Sequence, residues 1–170
     1  LVEMYLNKGD GTFENTPFFT MTINQMLDWI YVVDLNGDGL DDLVAYFEND
    51  DSKSGWKSKV YAYINMGNTF LFVGEKISDK YFTLYPGDFC HERKTSLFVQ
   101  HTPDSNGNTK YSGILYFNEN TQQIKYFEFQ AFFAVTAQRV FVIDIDSDGN
   151  HEIMLLHNDH ATIANVSKNG

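Results

Sequence analysis

Cysteine and proline are scarce in this sequence, and it has no long apolar run and no basic cluster. The single cysteine, Cys90, excludes a disulfide within the chain and leaves the redox compartment open. No run of about 18 apolar residues occurs, so we expect neither a transmembrane helix nor membrane insertion. The chain contains only 12 Lys and Arg but 23 Asp and Glu, which gives a net charge of −11. Nucleic-acid phosphates need a basic surface, so we expect no nucleic-acid partner.

What the chain does have is an abundance of strand-forming residues. It contains 15 Phe and 10 Tyr among 170 residues, and 43% of the residues are apolar, which is ample for a packed core. Aromatic enrichment favours β-strands, and segments such as Lys59–Ile64 are too short for a helix. The chain begins at Leu1 and shows no signal peptide, so we expect a mature or excised piece of a longer protein.

An acidic motif recurs along the chain about every 55 residues. It starts at Asp34, returns in degenerate form at Asp88 and returns in full at Asp144. A second motif, Tyr-x-Asn-x-Gly, begins at Tyr5 and again at Tyr63, and this pattern is typical of a β-hairpin. Each repeat therefore offers four short strands, as propeller blades do. In the first full repeat the predicted strands are Ile30–Val33, Leu43–Phe47, Lys59–Asn65 and Phe70–Lys76.

These repeats predict an all-β fold of four-stranded antiparallel blades, a partial β-propeller of about three blades. We expect one repeat region over residues 1–170, with units at about 1–26 (partial), 27–80, 81–134 and 135–170 (partial). Closed propellers have about four to eight blades. Two alternatives follow: the chain is a segment of a larger propeller, or it closes by self-association with another copy.

The two intact acidic loops have the composition of calcium sites. Calcium takes six to eight oxygens from carboxylates, amides and backbone carbonyls, and a tight loop supplies them from alternate residues. Clustered carboxylates also repel each other unless a cation lies between them. We therefore predict two Ca²⁺ sites. The predicted ligands are Asp34, Asn36, Asp38, the Leu40 carbonyl and Asp42 in the first loop, and Asp144, Asp146, Asp148, the Asn150 carbonyl and Glu152 in the second.

The spacing within the loops excludes an EF-hand. An EF-hand closes with an acid at its twelfth position, where these loops carry Ala45 and Leu155. Here the last acid comes at the ninth position, and predicted strands flank the loop. Gly39 and Gly149 follow the third ligand, where we expect a sharp turn and a clash with any Cβ.

The loops Asp34–Asp42 and Asp144–Glu152 resemble the calcium loops of FG-GAP (VCBS-type) repeats, which build the propellers of integrin α-chains and of many bacterial surface, secreted and toxin-complex proteins. The resemblance implies four-stranded blades with calcium between the first two strands, and the same ligand set as above. The chain departs from the family pattern because it has no Gly-Ala-Pro box and carries Glu152 in place of Asp. The middle loop has Cys90, Arg93 and Ser96 at ligand or glycine positions, and we expect it to be metal-free.

The functional expectation is a calcium-stabilised, non-enzymatic scaffold or interaction module for a protein or glycan partner. The alternative is a non-catalytic propeller segment of a larger secreted polysaccharide-active enzyme or toxin complex. No nucleophile, phosphate-binding or dinucleotide motif is present, and adjacent Cys90 and His91 would point to opposite sides of an extended chain. Loops of about five protein ligands suit millimolar calcium, so we expect an extracellular, cell-surface or periplasmic location.

Overall fold

Thirteen β-strands make up the regular structure of the part of the chain that the structure describes. The computed structural model describes residues 1–23, 26–49, 55–89, 93–102, 111–130 and 139–165. Within these ranges no helix occurs, and so none that could cross a membrane. The strands are β1 (Val2–Met4), β2 (Phe19–Met21), β3 (Trp29–Val33), β4 (Asp42–Glu48), β5 (Ser58–Asn65), β6 (Phe70–Ser78), β7 (Phe82–Gly87), β8 (Ser96–His101), β9 (Tyr111–Asn118), β10 (Gln123–Gln130), β11 (Arg139–Ile143), β12 (Glu152–Leu156) and β13 (Ala161–Ala164).

The strands form consecutive antiparallel sheets. The first sheet has the order β3-β4-β5-β6, the second β7-β8-β9-β10, and the third β11-β12-β13, while β1 and β2 form a separate hairpin. Each sheet is a meander in which strands adjacent in the chain are also paired. The all-β fold of four-stranded, propeller-type blades is therefore confirmed, and the four predicted strands of the first repeat lie within β3 to β6. The predicted unit boundaries stay a prediction.

The hairpin motif has the same local structure in its two copies. In each, the Asn side-chain Oδ1 accepts a hydrogen bond from the glycine N–H two residues later, at 2.8 Å for both Asn7 to Gly9 and Asn65 to Gly67. Both glycines have positive φ, 84° at Gly9 and 85° at Gly67, which favours glycine. The turns therefore repeat along the chain, as the strands do.

The sheets stack face to face through two apolar layers. We call the face of a sheet that packs on the next sheet its trailing face, and the opposite face its leading face. In the first layer, trailing residues Val33, Val44 and Ala62 of the first sheet meet leading residues Leu84, Leu97 and Val99 of the second. In the second layer, trailing residues Phe89, Phe98 and Ile114 meet leading residues Val140, Ile153 and Leu155 of the third sheet.

Side-chain alternation along the strands produces these two faces. Successive residues of a strand point to opposite sides, and in β4 every residue from Asp42 to Phe47 is buried. A strand is expected to be buried on both faces when its sheet is packed between other parts of the protein, as the sheet of a propeller blade is.

Candidate metal-binding loops

Three equivalent loops leave the ends of the first strands of the three sheets. The first acidic loop connects β3 to β4, the degenerate loop connects β7 to β8, and the second acidic loop connects β11 to β12. Strands flank all three, which separates them from helix-flanked calcium loops.

The two acidic loops share one hydrogen-bond pattern. The N–H groups at loop positions 2, 5, 6 and 7 donate to side-chain oxygens at positions 9, 3, 1 and 5, respectively. In the first loop these bonds are Leu35 to Asp42 (2.8 Å), Asp38 to Asn36 (3.0 Å), Gly39 to Asp34 (2.9 Å) and Leu40 to Asp38 (2.8 Å). In the second loop they are Ile145 to Glu152 (3.0 Å), Asp148 to Asp146 (3.2 Å), Gly149 to Asp144 (3.0 Å) and Asn150 to Asp148 (2.8 Å).

The second acidic loop brings three carboxylates together. Oxygens of Asp144, Asp146 and Glu152 all lie within 4.8 Å of one another. Glu152 is only 3% exposed, and its Oε1 has no hydrogen-bond partner among the described residues, while its Oε2 is held by the Ile145 N–H. A buried carboxylate oxygen beside two further carboxylates lacks the compensation that burial of charge requires. Oxygen ligands in this arrangement fit a hard divalent cation such as Ca²⁺.

The first acidic loop is built around the fully buried Asp42. Its Oδ2 accepts from the Leu35 N–H, and its Oδ1 accepts from the Asn65 N–H at 2.7 Å, so Asp42 also ties the loop to β5. Burial raises the pKa of Asp42; the two N–H donors lower it, and the charges of Asp38 and Asp34 raise it further. A cation in this loop would offset both the burial and the repulsion.

The carboxylates of the first loop are spread more widely than those of the second. No three of them lie within 4.8 Å of one another in this loop, all of whose residues are described. Its third position is Asn36, whose amide donates to Asp38 Oδ2 at 2.8 Å. A carboxylate oxygen has two lone pairs, so the observed N–H bonds leave capacity for a metal.

The glycines of the acidic loops are required by backbone conformation. Gly39 and Gly149 have φ of 84° and 91°, but a Cβ added at either one would meet no atom within 4 Å. The expected sharp turn is confirmed, whereas the expected clash with neighbouring atoms is wrong. At the fourth loop position, Gly37 is matched by Ser147, a non-glycine residue with φ of 61°, a conformation that is unfavourable for side chains.

In the degenerate loop a hydroxyl takes the place of the ninth-position acid. Ser96 Oγ accepts from the Phe89 N–H at 3.4 Å and donates to the Gly87 carbonyl at 3.2 Å. Cys90 and His91, the adjacent pair considered above as a nucleophile, lie outside the described residues. The absence of metal from this loop stays a prediction. Alignment of this loop with the two acidic loops suggests only that Ser96 has lost a metal ligand. In the structure, Ser96 still accepts the hydrogen bond that the ninth-position acid accepts in the other loops.

Backbone hydrogen bonds join neighbouring loops in a repeating way. The N–H at the eighth position of one loop donates to the carbonyl at the first position of the preceding loop. The two bonds are Thr95 to Asp34 (2.8 Å) and His151 to Asp88 (2.9 Å). The His151 ring adds a second link, because its Nδ1 accepts from the Asp88 N–H at 3.1 Å. The acidic motif alone gave no signal of these links between blades.

Stacked four-stranded sheets with acidic loops at the ends of their first strands define a propeller-type repeat protein. Residues 2–45 match the family model of the FG-GAP-like repeat, and this stretch includes the whole first acidic loop. No curated protein and no solved structure matches the chain.

Proposed function

We propose that the chain is a calcium-stabilised propeller module of the VCBS type that serves as a non-enzymatic scaffold or interaction domain. The observation that carries the proposal is the buried Glu152 Oε1, which has no hydrogen-bond partner among the described residues and lies beside Asp144 and Asp146. A bound cation supplies the missing partner for that oxygen and neutralises the clustered charge. Because the site exists only when the loop is folded, metal binding stabilises the folded state by mass action.

Both acidic loops are included in the proposal. They share four hydrogen bonds, so the ligand positions Asp34, Asn36, Asp38, the Leu40 carbonyl and Asp42 correspond to those of the second loop. Because the two loops have equivalent hydrogen bonds and ligand positions, we assign one Ca²⁺ to each loop. Sites with about five protein ligands suit the millimolar calcium found outside cells, and we propose an extracellular, surface or periplasmic location.

A partner-binding role is supported by a cleft at the other end of the first sheet. The cleft has a volume of about 260 Å³ and is lined by Asp28, Trp29, Glu48 and Thr83, among others. Trp29 is 62% exposed. An exposed indole between polar side chains can stack on a sugar ring or anchor a protein loop.

Calcium titration tests the metal proposal. Thermal unfolding followed by circular dichroism should show a higher Tm in calcium than in chelator, and calorimetry should give two ions per chain. Asp34→Asn and Asp144→Asn should each remove one ion, while Asp10→Asn, which changes an exposed acid of the β1–β2 hairpin, should remove none. An unchanged Tm and no bound calcium would defeat the proposal.

A glycan screen tests the partner class. Binding of a glycan by the wild type that is lost in Trp29→Ala supports a sugar partner at the cleft. The control is Phe13→Ala, which removes another exposed aromatic side chain and should leave binding intact. Binding of no glycan favours a protein partner, and cleavage of a polysaccharide by the chain alone would contradict the non-enzymatic role.

A further inference from the structure

The two acidic loops differ in the charge of their ligand positions. The difference lies at the third position, which is the amide Asn36 in the first loop and the carboxylate Asp146 in the second. The other side-chain ligand positions are acidic in both loops, so the first loop offers three carboxylates and the second offers four. The charge of the ligands and the rigidity of the loop set the affinity of a calcium site. This exchange alone therefore favours the second loop.

Asp41 does not compensate for the missing carboxylate of the first loop. It lies at the eighth position, outside the alternate positions that supply ligands, and its side chain is exposed. All residues of this loop are described, and even with Asp41 included no three of its acids bring oxygens within 4.8 Å of one another, as Asp144, Asp146 and Glu152 do. The second loop thus holds its charges together before an ion binds, whereas the first loop must draw them together.

The ninth-position acids differ in what they can offer an ion. Both are buried, with Asp42 at 0% and Glu152 at 3% exposed. The two oxygens of Asp42 accept from the Leu35 and Asn65 N–H groups, one each. Glu152 uses only Oε2 in this way, and its Oε1 has no partner among the described residues. An ion in the second loop gains an oxygen that has already lost its water, whereas an ion in the first loop must share one with an N–H donor.

Lys94 of the degenerate loop places a positive charge beside the first acidic loop. A Cβ added at Gly37 would lie 2.8 Å from Lys94 Cγ, so the lysine side chain packs directly on this loop. Its amine forms an ion pair with Glu119, whose side chain is 62% exposed. Water screens an exposed partner, so the pair only partly cancels the repulsion between the amine and a cation in the loop.

We propose that the two loops fill in order, the second at a lower calcium concentration than the first, and that Asn36 and Lys94 set the difference. This inference rests on the proposed function, which assigns one ion to each loop. The ion of the second loop is the retained, structural one, and the ion of the first loop exchanges with its surroundings. The first loop lies at the junction of the first two sheets, where the Asp34 carbonyl accepts from the Thr95 N–H. The ambient calcium concentration therefore acts on that junction.

Calorimetric titration of single-site variants tests the order of filling. Asp144→Asn leaves only the first loop able to bind calcium, and Asp34→Asn leaves only the second. We expect the Kd of the first loop to exceed that of the second by about tenfold or more. The wild type should accordingly bind its two ions in separate phases. Circular dichroism checks that each variant is folded.

Substitutions at the third loop position test the cause. Asn36→Asp should tighten the weaker phase of the otherwise unchanged protein by about tenfold and leave the tighter phase as it is, which assigns the weaker phase without removing a site. Asp146→Asn should weaken the tighter phase by about the same factor. Lys94→Met should tighten the weaker phase by about threefold. The control is Lys80→Met, an exposed residue between β6 and β7, at the other end of the sheets, and it should change neither phase.

The outcomes separate this inference from the calcium assignment. Equal Kd values for the two loops, or tighter binding by the first loop, overturn the order of filling and leave the assignment of two ions standing. Failure of the wild type to bind any calcium overturns the proposed function, and the order of filling with it. A weaker phase that neither Asn36→Asp nor Lys94→Met alters overturns the role given to these two residues.

Discussion

The Glu152→Gln substitution should change the stability of the protein in opposite directions with and without calcium. Glutamine keeps an oxygen to accept from the Ile145 N–H, and it replaces the unpartnered, buried Oε1 with an amide group that can donate to Asp144 or Asp146. A buried polar atom without a partner costs about 1–3 kcal/mol. In chelator the variant should therefore be more stable than the wild type by about 1–3 kcal/mol.

In calcium the order should reverse. At a free calcium concentration of about a thousand times Kd, binding at one site adds about 4.1 kcal/mol to the free energy of unfolding, which exceeds the advantage of the variant in chelator. The variant has lost the charge of one ligand and should lose most of that gain at the second loop. The wild type should then be the more stable protein, while the first loop responds to calcium equally in both.

Urea denaturation at pH 7, with calcium and with chelator, measures the four free energies of unfolding. Glu128→Gln removes one negative charge from an exposed position on β10 and controls for net charge. A variant that is less stable than the wild type by the same amount in both conditions would refute the reasoning, because Glu152 would then serve the fold alone.

Three other substitutions test the core and the loops. Burial, with smaller contributions from Lys76 and Lys80, lowers the pKa of His101 to about 4. Stability should therefore be lost as pH falls from 6.5 towards 4, by about 3 kcal/mol in all, and His101→Phe should abolish that loss in urea denaturation at pH 7 and pH 4.5. Gly87→Ala should lower the stability of the folded protein by about 1–3 kcal/mol, measured as a lower Tm, because the added methyl group would overlap Val142. The double variant with Val142→Ala should recover part of the lost stability. No recovery would contradict the contact between these two positions. Ser96→Ala should cost about 1–3 kcal/mol in the same measurement, since two buried hydrogen bonds are lost, and an unchanged Tm would show that they contribute nothing.

The sequence predicts the strands well because their signal is local. Alternation and aromatic content in Lys59–Asn65 and the Asn-x-Gly turns depend only on neighbours along the chain, and the observed β5 and its hairpin follow them. The repeat spacing then predicts the meander order, since strands joined by short loops pair with each other.

The contacts between blades could not be predicted in the same way. The His151 link to Asp88 and the approach of Val142 to Gly87 join residues more than 50 positions apart, and they depend on how the sheets stack. The different spacing of the carboxylates in the two acidic loops also depends on three-dimensional structure. Both have the same motif, but only the second brings three carboxylates within 4.8 Å, where a longer glutamate side chain replaces an aspartate.

The bond from the second loop residue to the ninth side chain has a consequence for how such repeats change over evolutionary time. A hydroxyl can also make this bond, as Ser96 does at 3.4 Å, compared with 2.8 Å for the carboxylate of Asp42. On the proposed calcium assignment, a blade that exchanges its ninth-position acid for a hydroxyl loses a metal ligand and still holds its turn closed. Ion content and blade number can then vary independently of each other, so that arrays of the same architecture can differ widely in their dependence on metal.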